Sequence, residues 1–288
     1  MEVNLAVRRP KSPVKEIQGR VPHRIRFTGS KVIPALQIKF SDVQNSNNNM
    51  LTAIALYSTL LLGAPATPTI QDMIPKGFRD ASFTAFVVSG NPQELAKINR
   101  DFAQSYRFRS SMVRTKEPFM VRAESTVEDS SILFIVNGPR RLVRIPRSNI
   151  NMRENLATKP GKRQTVFDFG FLTPSLFDDY YQAKFVRTDR ATKDEVFDVT
   201  YVPRLKDGTR HRVWINPDRR LMVKREWYSQ IDGRLMATFS YEDAKQFDGV
   251  WLPTRIVVRN SENKIAGTSR YDAVRVNSGL DTDIFRVD

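Results

Sequence analysis

Val213-Trp-Ile-Asn-Pro-Asp218, Leu221-Met-Val-Lys-Arg-Glu-Trp-Tyr228 and Asp248-Gly-Val-Trp-Leu-Pro-Thr-Arg-Ile256 decide how this chain folds. They belong to one stretch, Asp198 to Asn260, in which short runs of branched and aromatic residues alternate with the turn dipeptides Asp207-Gly208, Asp232-Gly233 and Asp248-Gly249. Such a pattern marks consecutive antiparallel strands joined by hairpins, a β-meander. Side chains two apart share a face of a strand. Val213 and Ile215, then Leu221, Val223 and Trp227, then Ala237, Phe239 and Tyr241, then Val250, Leu252, Ile256 and Val258 therefore build an apolar side. Arg212, Lys224, Glu226, Ser240, Glu242, Arg255 and Arg259 build a wet one. A sheet of this kind must cover or fill its apolar side, and the functional question is what does so.

Composition narrows the chemistry. The 288 residues are 40% hydrophobic and 27% charged, ordinary for a folded chain and enough for one large domain or two small ones. The net charge of +15 is uneven, with nine Lys/Arg against three Asp/Glu in residues 1–49 and 37 against 28 in the remainder. A basic balance attracts nucleic acid, anionic lipid or acidic polymers without choosing among them. The lack of cysteine excludes disulfides, thiolate catalysis, cysteine-held zinc, iron–sulfur clusters and lipidation at a cysteine. His23 and His211 are too few for a histidine metal cluster, and His211, between two arginines in a predicted strand, reads as a packing or solvent-facing residue. No phosphate loop, zincin motif, nucleophile elbow or calcium loop occurs. The neighbouring acids Asp178-Asp179 and Glu242-Asp243 point in different directions and read as solvated. A hydrolase built on Ser175 or Asp178 has only the residue types in its favour. The chain is therefore expected to be no enzyme and to need no catalytic residue, metal or cofactor. Basic and aromatic residues alternate in Arg107-Phe-Arg109 and Lys224-Arg-Glu-Trp-Tyr228, as on a nucleic-acid surface. A two-sided sheet produces the same alternation, and no nucleic-acid partner is expected.

In chain order, residues 1–49 read as a basic tail or as upstream sequence ahead of a start at Met50, and the apolar run that begins at Met50 favours the second. Met50 to Ala66 is uncharged and shorter than the ~20 residues of a membrane-spanning helix. It ends in Ala64-Pro-Ala66, which resembles a signal-peptidase site. Export is expected, to the periplasm or another extracytoplasmic space, with the segment cleaved or kept as an anchor; the alternative is a core helix. Residues 67–90 read as a linker and 91–288 as the folded domain. Asn91-Pro-Gln-Glu94 starts a helix, with Asn91 as N-cap and Glu94 placed to reach back to it, and Leu95, Ile98 and Phe102 line one face. Strands are expected at Arg107 to Arg114, Pro118 to Ala123, Ser131 to Val136 and Arg140 to Pro146. The run Ile132 to Val136 is apolar on both faces, so that strand should be buried on both sides. Residues 147–164 read as a basic loop and Thr165 to Phe169 as a strand. Thr173-Pro174 opens a short helical stretch, Leu176 to Gln182, suited to plug the open side of the sheet or else to pack on its outside. Further strands are expected at Ala183 to Thr188, Val196 to Val202 and, after the meander, Thr268 to Val276.

Taken together, the export segment, the leading helix, the meander with Val213-Trp-Ile-Asn-Pro-Asp218, Lys224-Arg-Glu-Trp-Tyr228, Asp232-Gly233 and Asp248-Gly-Val-Trp-Leu-Pro-Thr254, the Thr173-Pro174 helix and the ending Val276-Asn-Ser-Gly-Leu280…Ile284-Phe285 resemble the outer-membrane lipoprotein-sorting proteins. This is the family of the carrier LolA, with relatives in LolB and the amino-terminal domain of RseB. The likeness runs from about Asn91 to Phe285, and its motifs specify a fold rather than a reaction. It implies a mainly β protein with few helices, a half-open antiparallel β-barrel of about eleven strands under a helical lid. It also implies a concave face that binds the acyl chains of lipoproteins or another amphiphile. Lining residues implied are Leu133, Ile135, Val213, Leu221, Val223, Trp227, Phe239, Leu252 and Ile256, with Leu176, Phe177, Tyr180 and Tyr181 in the lid. The expected form is a monomer that meets inner- and outer-membrane envelope proteins; the alternative is a membrane-anchored, RseB-like sensor module. One departure stands out: where the carrier has a basic residue before a proline to tie sheet to lid, this chain has Asn137-Gly138-Pro139, leaving Arg140, Arg141 or Arg144 to substitute.

Overall fold

The computed structural model of the chain describes residues 66–288, Glu128 excepted. The readings of residues 1–49 and of the export segment up to Pro65 lie outside the described residues. The strands are β1 (Asp80–Gly90), β2 (Ser110–Lys116), β3 (Met120–Val127), β4 (Ser130–Asn137), β5 (Arg140–Ile145), β6 (Ile150–Asn155), β7 (Tyr181–Thr188), β8 (Glu195–Tyr201), β9 (Arg210–Asn216), β10 (Leu221–Tyr228), β11 (Leu235–Glu242), β12 (Lys245–Phe247), β13 (Val250–Leu252), β14 (Arg255–Asn260) and β15 (Ile265–Val276). Thirteen of them form one sheet in the order β6-β5-β4-β3-β2-β1-β15-β14-β11-β10-β9-β8-β7, and β12 pairs with β13 alone.

Every pairing is antiparallel. Phe83 and Val136 share one core cluster with Phe197, Val213 and Phe239, from the opposite half of the strand order. Laid flat, thirteen strands would span about 58 Å. The sheet must therefore curl around its core, and it does so without closing, because β6 and β7 each pair on one side only. Bulges in β1, β7, β10 and β14–β15 break the register where such bending concentrates. The result is the expected half-open barrel, with thirteen strands in place of about eleven.

The inner side is filled by the chain itself. The connection between β6 and β7 brings in a 3-10 turn at Val166–Phe169 and a helix, α3 (Ser175–Asp178), with α1 (Pro92–Ile98) and α2 (Arg100–Ser105) covering a neighbouring part. Asn91 caps α1 as its type predicts, its Oδ1 accepting from the amides of Gln93 and Glu94. Glu94 does not close the box; its carboxylate accepts from the Asn260 side chain and pairs with Lys97. Asn99 is extended and caps α2, so the single expected helix is two. Phe102 stays on the apolar side, 5.9 Å from the Phe239 ring.

Four expectations are corrected. Residues 67–90 are no linker: Ile70, Met73 and Phe78 are buried and β1 lies in the sheet between β2 and β15. The alternation there, Ala81, Phe83 and Ala85 against Ser82 and Thr84, has too little hydrophobic contrast to announce a strand. Residues 147–164 contain β6, an edge strand with exposed side chains. Thr165 to Phe169 is a 3-10 turn, ended by Gly170 at φ +87. The lid helix stops at Asp178, and Tyr181 already begins β7.

The outer face of β3–β5 is covered as well. The segment after β15 leaves through Asn277, Ser278 and Gly279, whose groups are held at Gly77, Arg79 and the buried Asp80 carboxylate. It then lays Phe285 and Val287 on Ile135 and Leu142 as a second, smaller core. Ile135 and Val136 are thus buried on opposite faces of β4, as the doubly apolar run predicts.

Candidate functional site: the concave face and its lid

Register places the expected lining residues unevenly. Val213 and Phe239 face inward and are buried, as are Leu252 and Ile256, and Trp227 packs against the same cluster half-buried. Leu133 and Ile135 point the other way, into the small core under the tail; the inward residues of β4 are Ile132, Phe134 and Val136. A bulge between Met222 and Lys224 shifts β10 by one, so a strict period of two fails there. Leu221 is buried opposite Asn216, outside the inner cluster, and Val223 is the bulged residue. Met222 and Arg225 take the inward places, opposite Ile215 and Val213.

Arg225 is the inward residue absent from the expected lining, although a period of two sets it on the side of Trp227. Its side chain is 5% exposed, and its guanidinium carbon sits 4.1 Å from the Phe239 ring and 4.8 Å from that of Phe167. It donates through Nη1 to the Phe167 carbonyl at 3.3 Å and stands 3.6 Å from Asp168 Oδ1. A buried cation persists only where paired and hydrogen-bonded. Here the partners belong to the lid, so the pairing fastens lid to sheet. Alternation from Trp227 already turns Arg225 inward, but it does not announce the partners in the lid that let a cation stay there.

The lid is held at its margins too. Ser175 donates from its amide and its hydroxyl to Glu117 in the β2–β3 turn, which occupies the hydroxyl in a structural bond. Tyr180 donates to the Pro160 carbonyl at 2.8 Å, and the Arg163 guanidinium lies 3.8 Å from the Phe119 ring. Of the three arginines expected to substitute for a lid tie, Arg141 donates to the Lys162 carbonyl, in the connection ahead of the lid, and pairs with Glu154. Arg140 faces Asp288, and Arg144 lines an outer groove. Leu176, Tyr180 and Tyr181 are buried and Phe177 half-buried, all within the inner cluster. Tyr181 stacks on Tyr201 and Tyr180 meets both edge to face, and burial pushes each phenol well above its ordinary range. Burial raises Tyr106 and Tyr241 to about 12. His211 is a packing residue 5.2 Å from the Phe167 ring; burial, then Arg225 and Arg210, hold it well below 6.5, so it is neutral.

Cover ends before the sheet does. On the inner face of β4–β6, Ile132, Phe134, Val143 and Ile145 are half-exposed, and Ile150 and Met152 are 40% and 41% exposed. Register aligns Phe134 with Val143 and Met152, and Ile145 with Ile150. An apolar strip thus continues from the filled core to the β6 edge. Among the described residues no group of acidic and histidine side chains forms a metal site. No described helix is long and apolar enough to cross a membrane.

A curled, open antiparallel sheet with an apolar inner face under a short helical lid is the architecture of the LolA superfamily, and this chain has that fold. A LolA superfamily protein from Nitrosomonas europaea matches with a TM-score of 0.52 and 16% identity over 75% of this chain and 94% of that one. An outer membrane lipoprotein-sorting protein domain from Vibrio parahaemolyticus matches with a TM-score of 0.51 and 13% identity over 75% and 93%. A family model described as that of an uncharacterized protein matches residues 164–288. No curated protein matches the chain.

Proposed function

We propose that this protein is an exported, non-enzymatic carrier that holds the acyl chains of a lipoprotein or another amphiphile on its concave face. The observation that carries the proposal is the apolar strip from Phe134 through Val143 to Met152, left bare on a fold shared with a lipoprotein-sorting domain. A ~16-carbon chain costs on the order of 12 kcal/mol to leave in water, so a soluble carrier must bury it. The strip offers a first landing, and lifting the lid from Arg225 would extend the site over Val213, Phe239 and Ile256. The wild-type chain purified from its own envelope is expected to retain an acyl lipid by native mass spectrometry. Phe134→Asp together with Val143→Asp should lower that occupancy about tenfold, the cost of losing ~1.4 kcal/mol of apolar contact. A chain that stays empty with every lipid and lipopeptide offered removes the basis of the carrier reading. Sequencing the mature amino terminus separates the carrier from an anchored sensor: Thr67 at that position excludes the anchor.

A further inference from the structure

The β6 edge carries charge as well as apolar surface. Residues 140–163 hold eight Lys/Arg against one carboxylate, Glu154, a denser basic run than the chain average. Glu154 is taken by Arg141 and Asp288 faces Arg140 at 3.5 Å. Asp207 lies beside Gly161, and Glu124, across the outer groove from Arg144, is shared by Arg114 and Arg122. Among the described ion pairs none engages Arg144, Lys159 or Lys162, and all three are exposed. Within this basic field Ile150 and Met152 stand 40% and 41% exposed on a strand with one free edge. The β5–β6 turn, Pro146 to Asn149, is exposed throughout.

Bare aliphatic side chains on an edge strand, with Arg144 on the other face of the sheet and lysines in the segment that follows, are mismatched with water and matched to an interface that is oily below and negative above. We propose that the β5–β6 corner is a docking surface for an anionic phospholipid bilayer. Ile150 and Met152 enter the acyl boundary while Arg144, Lys159 and Lys162 meet the phosphates. Nucleic acid would satisfy the charges alone: single strands are held by exposed aromatic platforms, and the exposed side chains here are aliphatic. This surface shares Met152 with the carrier's strip but goes beyond the carrier reading, since docking does not require a ligand on the concave face.

Flotation of the full chain with phosphatidylcholine–phosphatidylglycerol vesicles against pure phosphatidylcholine tests it. Wild type is expected to float with the anionic vesicles and to be released by salt. Each basic residue near an anionic surface contributes about fivefold in partitioning, so Arg144→Glu with Lys159→Glu and Lys162→Glu should lower binding at least tenfold. Ile150→Ser with Met152→Ser should lower it about fivefold at constant charge. All five side chains are exposed, and an unchanged circular dichroism spectrum verifies each variant's fold. Because the chain has no cysteine, Ser148→Cys accepts a single environment-sensitive dye at the turn itself. Its emission should shift to the blue on anionic vesicles, while a dye at Ala191→Cys, in the turn after β7, should not move. Unchanged emission at position 148 overturns the proposal however the rest of the chain binds, and so does wild-type flotation by both sets of variants. Loss of single-stranded nucleic-acid binding in the charge variant, with vesicles ignored by wild type, replaces it with the nucleic-acid reading.

Discussion

The two halves of the sheet obey one inward alternation and meet opposite fates. On β8–β11, Val213, Ile215 and Phe239 lie sealed beneath the lid, and the outer face is an ion-pair network in which Arg210 and Arg212 share Asp198 and Lys224 pairs with Glu226. On β4–β6 the inner face is half bare, and it is the outer face that carries a core, formed with the carboxyl-terminal segment. One half is built inside-in and the other inside-out. Apolar sequence alone therefore does not distinguish core from binding surface here. What distinguishes them is where the connection from β6 to β7 and the final segment come to rest.

The sharpest way to break the comparison is a charge in the sealed half. Phe239→Lys would place a second cation against Arg225 in a site 4% exposed. It should cost about 4 kcal/mol or more, read as loss of soluble folded protein. Folded protein that has lost only lipid binding would instead make Phe239 a lining residue. Next, Gly170→Ala should cost about 3 kcal/mol in urea unfolding. Its φ of +87 disfavours a side chain, and an added Cβ would lie 2.6 Å from the Tyr241 ring, against the lid. The same chemistry in both halves then gives a direct contrast: Val213→Ser should cost about 2–3 kcal/mol and Val143→Ser under about 1 kcal/mol. Equal costs would remove the distinction between the halves.

The smallest effect is one of pH. His211 is held neutral in the folded chain, below its ordinary 6.5. As pH falls below 6.5 the unfolded chain takes up the proton first, so stability is lost on acidification and is fully present above that value. The urea midpoint should drop from about pH 7.5 to about pH 5.5, and His211→Phe should flatten the drop. A midpoint unchanged over that range would mean that His211 is not sealed under Phe167.

Much of this was legible in the residues. Turn dipeptides and alternation locate the hairpins of the meander, and Asn91-Pro92 marks α1. The double apolarity of Ile132 to Val136 announces a strand covered twice, although not that Phe285 supplies the outer cover. β1 and β6 were hidden because their contrast is weak: Ala, Ser and Thr alternate in one, and exposure makes the other look like a basic loop. Arg225 shares the parity of Trp227, so alternation places it inward; what the strand hides is the pairing with Phe167 and Asp168 that holds a cation there. The bulge was illegible for a different reason: it is a property of two strands together, and nothing within Leu221 to Tyr228 fixes where the extra residue falls. The same shift moves Leu221 and Val223 off the face where a period of two puts them.

The final segment has a mechanical consequence. Lys116 of β2, Arg122 of β3, Asn137 of β4 and Arg153 of β6 donate in turn to the carbonyls of Leu280, Ile284, Phe285 and Val287. A single length of chain is thereby lashed across the back of the strands at four points. Sliding one of these strands past the next, or flattening their curvature, means surrendering those bonds together. The half without a lid is thus the stiff one, a braced plate whose shape does not depend on whether anything rests against it.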